Sequence, residues 1–241
     1  MENARPLLWL MPVGLGEGGM ATFAQEAHRQ AAQQVQCWIV EQVRTARRML
    51  ASMQTAYPFD EKQWFEIGKE GQHDARTLEA EWKAAMRSAT PGSVWGLMSE
   101  AGMPGIADPG AAVVAFAHQL GWKVRVLAGP SSIFMALALS GFNGQQFAFH
   151  GYLPVEPPAL LRAIQALEAQ AQRGVAQIFI ETPYRTRRML ETLLRNLKPQ
   201  TGLSVTAGLD TPQFFSYAGP VAGWKDKRLP EGKVPAVFVL G

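Results

Sequence analysis

The chain has 241 residues, 47% of them hydrophobic and 18% charged, which excludes a disordered or collagen-like protein and fits one or two globular domains. A single cysteine, Cys37, excludes an internal disulfide and suits a reducing, cytoplasmic setting, while four scattered histidines supply no metal-ligand set. The net charge of +3 neither requires nor excludes nucleic acid; no apolar run approaches the ~20 residues of a membrane span, and no signal peptide is expected.

Apolar runs at 7–11, 36–40, 94–98 and 122–127 read as strands, and amphipathic stretches at 20–34, 44–53, 74–89 and 111–120 read as helices. This is the alternation of a mostly parallel α/β sheet covered on both faces. The alternating segment 62–67 ("KQWFEI") suits a further strand. After "AGPSS" (128–132) an apolar helix runs to Ser140 and "GFNGQ" breaks the chain. A second series follows: strand 147–152, helix 158–172, strand 176–181, helix 184–196 and strand 202–208. The tail holds two strand-like segments, "QFFSYAG" and "VPAVFVLG", with no helix between them, so the second sheet should be mixed. A boundary near 128 gives an N-terminal domain, 1–127, and a C-terminal domain, 128–241.

"PVGLGEGGMATF" (12–23) carries Gly14, Gly16 and Gly19 in the G-x-G-x-x-G spacing, and Glu41 ends the next apolar run about 20 residues on. That spacing admits an NAD(P)-dependent oxidoreductase. Two further loops rich in glycine, proline and small residues also follow strands: "SEAGMPGIADPG" (99–110) and "AGPSS". Such loops let backbone groups approach a ligand closely. One internal echo stands out, "WIVEQVRTARRML" (38–50) against "IFIETPYRTRRML" (178–190). Each half thereby places a glutamate and an arginine cluster at the carboxyl end of a strand, the edge where open α/β sheets bind ligands. His150 reads as a structural, hydrogen-bonded histidine, the methionines as core filler, and Asp108 equally as a helix cap or a ligand contact.

"SEAGMPGIADPGA", then "GPSSIFMALALSGF", "FAFHGYLP" and "IFIETPYR", in that order, resemble the tetrapyrrole (class III) methylase superfamily, most closely its branch of small-subunit rRNA 2′-O-ribose methyltransferases. The resemblance covers nearly the whole chain and is most specific over 99–154. It implies a two-domain α/β enzyme, usually a homodimer, with S-adenosylmethionine (SAM) held in a cleft between the domains. Carried over position by position, it assigns Pro12 and Gly14 to a first cofactor loop. Ser99, Glu100, Ala101, Gly102, Met103, Pro104, Ile106, Ala107 and Asp108 form the second, and Ser131 and Ser132 belong to the third. Gly151, Tyr152, Leu153, Thr182 and Pro235 complete the cofactor set. Pro12 and Gly14 also match the superfamily's Pro-x-Gly turn, which leaves the dinucleotide spacing accidental.

The chain departs from the branch where the acceptor would sit. Glu41-Gln42-Val43-Arg44 replaces Glu-Asp-Thr-Arg, "IGKEG" (67–71) replaces His-Asp-His, and "GLDTP" (208–212) replaces Glu-Leu-Thr-Lys. The reading is therefore a methyltransferase acting on an oxygen or nitrogen nucleophile, with RNA as one acceptor. Glu41 and Glu100 are the candidate bases, and Arg44, Arg47, Arg48, Arg185, Arg187 and Arg188 the candidate acceptor contacts. The alternatives are the oxidoreductase and a non-catalytic RNA- or protein-binding module on the same fold.

Overall fold

The computed structural model describes residues 4–16, 19–53, 57–68 and 74–241. Contacts divide the chain into two compact units, Met1–Pro130 and Ser131–Gly241.

In the first unit β1 (Leu7–Leu10), β2 (Cys37–Val40), β3 (Gln63–Glu66), β4 (Val94–Met98) and β5 (Lys123–Val126) form a parallel sheet in the order β3-β2-β4-β1-β5. A parallel sheet must be covered on both faces, and the near-continuous apolar strands meet that need. Trp9, Met11, Trp38, Val40 and Met98 pack with α1 (Glu26–Gln34) and α2 (Val43–Ala51) on one face. The alternate residues Leu8, Ile39, Trp95 and Leu97 pack with α3 (Ala75–Arg87) and α4 (Gly110–Gln119) on the other. Burial of Trp38 leaves no polar atom stranded: its indole N–H donates to Tyr57 Oη at 2.7 Å, which donates to the Ala32 carbonyl at 3.0 Å.

The strands match the apolar runs, but the helix expected over 20–34 does not form as one piece. Gly19–Thr22 is a 3-10 turn, and α1 begins only at Glu26. The break lies at Gln25, whose backbone is extended (φ −100°, ψ 176°) and whose N–H goes to His28 Nδ1 at 3.2 Å instead of the Ala21 carbonyl. Extended Gln25 then caps α1 reciprocally with His28.

In the second unit β6 (Phe147–Tyr152), β7 (Ala176–Glu181), β8 (Gly202–Ala207), β9 (Phe215–Pro220) and β10 (Ala236–Leu240) run in the order β6-β7-β10-β8-β9. Only the β6–β7 pair is parallel; the other three are antiparallel, which makes the sheet mixed as its helix-free tail suggests. Facing α6 (Pro157–Ala171) and α7 (Thr186–Asn196) lie Phe179, Phe238 and Leu240. The register partners Phe179 and Phe238 stack at 5.2 Å there. Helix α5 (Ser132–Ser140) covers the opposite face against Ile178, Val237 and Val239. Among the described residues no helix is long and apolar enough to cross a membrane.

Candidate functional site

The carboxyl ends of β2, β4, β1 and β5 are neighbours in the first sheet, so the segments that follow them share one edge. The connections from β1 and β4 also lead to helices on opposite faces of the sheet. Adjacent strands whose loops part in this way open the crevice where α/β sheets take ligands.

The loops there are tied to one another through backbone. Val13 and Gly102 exchange N–H···O=C bonds of 2.9 and 3.2 Å across 89 positions of chain. Gly129 packs on Pro12 so closely that a Cβ at 129 would lie 2.2 Å from the proline Cβ. A Cβ at Gly14 would meet the Gly19 carbonyl oxygen at the same distance. His28, buried in α1, accepts from the Gln25 N–H at Nδ1 and donates from Nε2 to the Ala128 carbonyl at 2.7 Å, which holds the third loop. Sequence reasoning missed His28, because a lone helical histidine carries no signal of a partner 100 residues away.

The second loop, 99–110, turns through three positive φ values, +72° at Gly102, +86° at Gly105 and +60° at Ala107, of which only the alanine carries a cost. Asp108 holds it. Its carboxylate accepts from the Gly105 N–H at 2.8 and 2.9 Å and from the Gly110 N–H at 2.7 Å, with Ser99 as a further donor. Burial pushes the Asp108 carboxyl above its ordinary 3.8, outweighing the hydrogen bonds from Gly105, Gly110 and Ser99 that pull it down. A raised folded-state value means that this group's titration stabilises the fold fully below pH ~3.8 and loses that contribution as pH rises through the folded value. Asp108→Ala should cost about 2 kcal/mol at neutral pH, since two glycine N–H groups lose their acceptor. Asp108→Asn keeps one oxygen for both and should cost less. Denaturant titrations in acid should show the stability gap between wild type and Asp108→Asn shrinking as pH rises.

Of the two candidate bases, Glu41 accepts the Glu100 N–H on Oε1 at 3.0 Å, so its carboxylate positions the start of the second loop. Pro12, Ser99, Gly102 and Pro104 are buried at this edge, whereas Ala101, Ile106 and Ala107 are exposed.

The second unit gathers its assigned residues on one edge of its own sheet. Gly151–Leu153 end β6 at a bulge (Gly151 φ +64°), and Thr182 follows β7. Pro235 precedes the antiparallel β10 and accepts the Gly208 N–H at 3.2 Å. Helix α5 leads Ser131 and Ser132 toward the same edge. Phe142, just past its end, sits against Gly202 and Gly241 at the opposite edge, and the helix spans about 13 Å. His150 lies 2.8 Å from Gln177 Oε1, the structural role expected of it.

The echoed segments occupy equivalent places at a constant offset of 140. Ala46, Met49 and Leu50 are buried as are Thr186, Met189 and Leu190, while Arg47, Arg48, Arg187 and Arg188 are exposed. Their glutamates differ in role. Glu181 is buried, accepts the Thr182 N–H at 2.7 Å, and meets Arg185 in an ion pair of 3.0 Å. Arg47 is held by Asp60 at 3.2 Å and lies over the Phe59 ring; Arg187 reaches the Pro230 carbonyl at 3.4 Å. Of the replaced segment "IGKEG", residues 69–71 lie outside the described residues, as do Glu17 and Gly18 of the glycine loop. Among the described residues no group of three potential metal ligands occurs.

A dinucleotide fold needs β1 beside β2 and a helix N-terminus directly after its glycines to face the pyrophosphate. Here β4 lies between those strands, and the glycines lead into a 3-10 turn. The molecule is instead an α/β protein of two units, the first with a crosslinked, loop-built edge at the carboxyl ends of its strands. The family model of the Tetrapyrrole (Corrin/Porphyrin) Methylases matches residues 10–222, and the chain belongs to that family. A ribosomal RNA small subunit methyltransferase I of Vibrio cholerae is 30% identical over 194 residues, 80% of this chain and 62% of that protein. One of Thermotoga maritima is 36% identical over 97 residues, 40% of each chain. The chain thus matches less than two thirds of the length of these relatives. Among solved structures, the uroporphyrin III C-methyltransferase of Thermus thermophilus superposes with a TM-score of 0.54 at 18% identity, covering 98% of this chain and 97% of that one. A conserved hypothetical protein of Aeropyrum pernix K1 gives 0.62 at 16% identity, covering 99% and 84%. These two share its fold.

Proposed function

We propose that the protein is a SAM-dependent methyltransferase that modifies an oxygen or nitrogen nucleophile on RNA, the ribose hydroxyl of small-subunit rRNA first among them. The observation that carries this reading is the mutual locking of the 12–14, 99–110 and 128–130 segments, which presents fixed backbone and small apolar side chains without a phosphate-binding helix end. SAM has no pyrophosphate, so that chemistry suits it. Pro12 and Gly14, with Ser99–Pro104 and Ile106–Asp108, would hold the cofactor in the first unit. Ser131, Ser132, Gly151–Leu153, Thr182 and Pro235 are the second unit's positions for it. When bound, SAM supplies an electrophilic methyl on a sulfonium.

The residues of the chain do the rest. The crosslinked loops fix the donor's orientation, and alignment of donor and acceptor supplies most of the rate. A hydroxyl acceptor must lose its proton as the new C–O bond forms; Glu100 is the carboxylate proposed to take it, and Glu41 positions that residue through its N–H. Relatives named as ribosomal RNA methyltransferases and two arginine clusters support the RNA acceptor. Exposed apolar side chains on the second unit, Phe134, Leu139, Phe147 and Phe214, support a homodimer; the lone buried thiol supports a cytoplasmic setting.

Incubation of the protein with methyl-labelled SAM and a fractionated cell extract tests the reading. The label should enter ribonuclease-sensitive material. Label confined to protein or small molecules would overturn the RNA acceptor, and no transfer to any fraction would favour a non-catalytic binding module.

A further inference from the structure

Tyr184 follows the buried end of β7 and is 76% exposed, the most open large hydrophobic side chain among the described residues. Nothing in the core uses its ring. The ammonium of Lys233 sits over that ring, 4.4 Å from its centroid. The chain running into β10 passes alongside: Thr186 donates to the Val234 carbonyl at 3.0 Å, and Arg187 reaches the Pro230 carbonyl. Lys233 therefore backs an open aromatic ring, and Arg187 meets the segment that carries it. Arg185, beside Tyr184 in the chain, is spent on the buried Glu181, and Glu231 is an exposed acid on the adjoining segment.

The ring keeps its other face bare, and Lys233 and Arg187 bring positive charge beside it. Single-stranded nucleic acid answers both terms, because phosphates neutralise the cations and an unstacked base covers the ring. We propose that Tyr184, backed by Lys233, is a stacking platform for one base of a single-stranded RNA, with Lys233 and Arg187 on its phosphates. The proposal rests on the RNA-acceptor reading and adds to it a residue that selects single strands over duplex, since a paired base has no free face to offer. The cation over one face of the ring is favourable in its own right and keeps the ring oriented.

The test measures binding of a fluorescent single-stranded oligoribonucleotide and of inorganic polyphosphate to wild type, Tyr184→Ala, Tyr184→Phe and Lys233→Gln across a salt series. Tyr184 is exposed, and matching melting curves would confirm that its variants fold. Tyr184→Ala should weaken RNA about ten-fold and leave polyphosphate unchanged, and Tyr184→Phe should bind as wild type. Lys233→Gln should lower the slope of log affinity against log salt by about one for both ligands. Equal affinity of wild type and Tyr184→Ala for RNA would overturn the platform, as would equal losses for RNA and polyphosphate. The two readings fail separately. Methyl transfer to RNA with no dependence on Tyr184 sinks the platform alone, whereas Tyr184-dependent RNA binding without transfer to RNA sinks the acceptor assignment alone.

Discussion

Glu181→Ala should destabilise the second unit by about 3 kcal/mol in denaturant unfolding. The carboxylate is inaccessible to solvent, with Oε1 on the Thr182 N–H at 2.7 Å and Oε2 3.0 Å from the Arg185 guanidinium. Removing one member of a buried pair leaves its partner uncompensated, which costs about 3–5 kcal/mol; the 29% exposure of Arg185 places the expectation at the low end. The Thr182 N–H would lose its acceptor as well. Glu181→Gln should recover part of the loss, because an amide oxygen still accepts from Thr182. The double variant with Arg185→Ala should be more stable than the sum of the two single changes implies, since neither charge is then stranded. A loss below 0.5 kcal/mol for Glu181→Ala would show that the pair does not hold the turn carrying Thr182 and Tyr184.

Gly14→Ala should cut SAM affinity at least 100-fold while costing only about 1–3 kcal/mol of stability. The new Cβ would lie 2.2 Å from the Gly19 carbonyl oxygen and 2.7 Å from its carbon. Both are backbone atoms, so no side chain can rotate away and the first loop must open. Val13, the preceding residue, carries the paired bonds to Gly102, so the displacement passes to the second loop. A shift of about 1 Å in a site built from backbone is enough to lose two orders of magnitude. Gly102→Val is a blunter test of the same edge, because φ of +72° strains a branched residue whatever lies above it.

Most strands were legible as apolar runs bounded by glycine, proline or polar residues, from "LLWL" to "AVFVL", and β3 ("QWFE") by its alternation. The mixed character of the second sheet was legible for a similar reason, since no helical stretch separates its last two strands. The break at 19–25 was not. Met20, Ala21, Phe23 and Ala24 all suit a helix, and what stops it is extended Gln25, whose N–H turns to His28. Strand order was equally hidden: nothing in "VWGLM" says that β4 inserts between β2 and β1. That the glycine and proline loops follow neighbouring strands was legible, but their crosslinks were not. Val13 with Gly102, His28 with Ala128 and Glu41 with Glu100 are long-range partnerships that local pattern cannot express. The dinucleotide spacing carries little for the converse reason: it describes three glycines and is silent on the strand order that would give them meaning.

The central claim is that the loop edge of this chain is built for SAM and not for a dinucleotide. Isothermal calorimetry of the wild-type protein against SAM, S-adenosylhomocysteine and NAD tests it most directly, with Gly14→Ala as the matched control. SAM and S-adenosylhomocysteine should each bind at one site per chain, Gly14→Ala should lose both, and NAD should give no heat above dilution. Saturable NAD binding that Gly14→Ala abolishes, with no binding of SAM by the folded wild-type protein, would contradict the account.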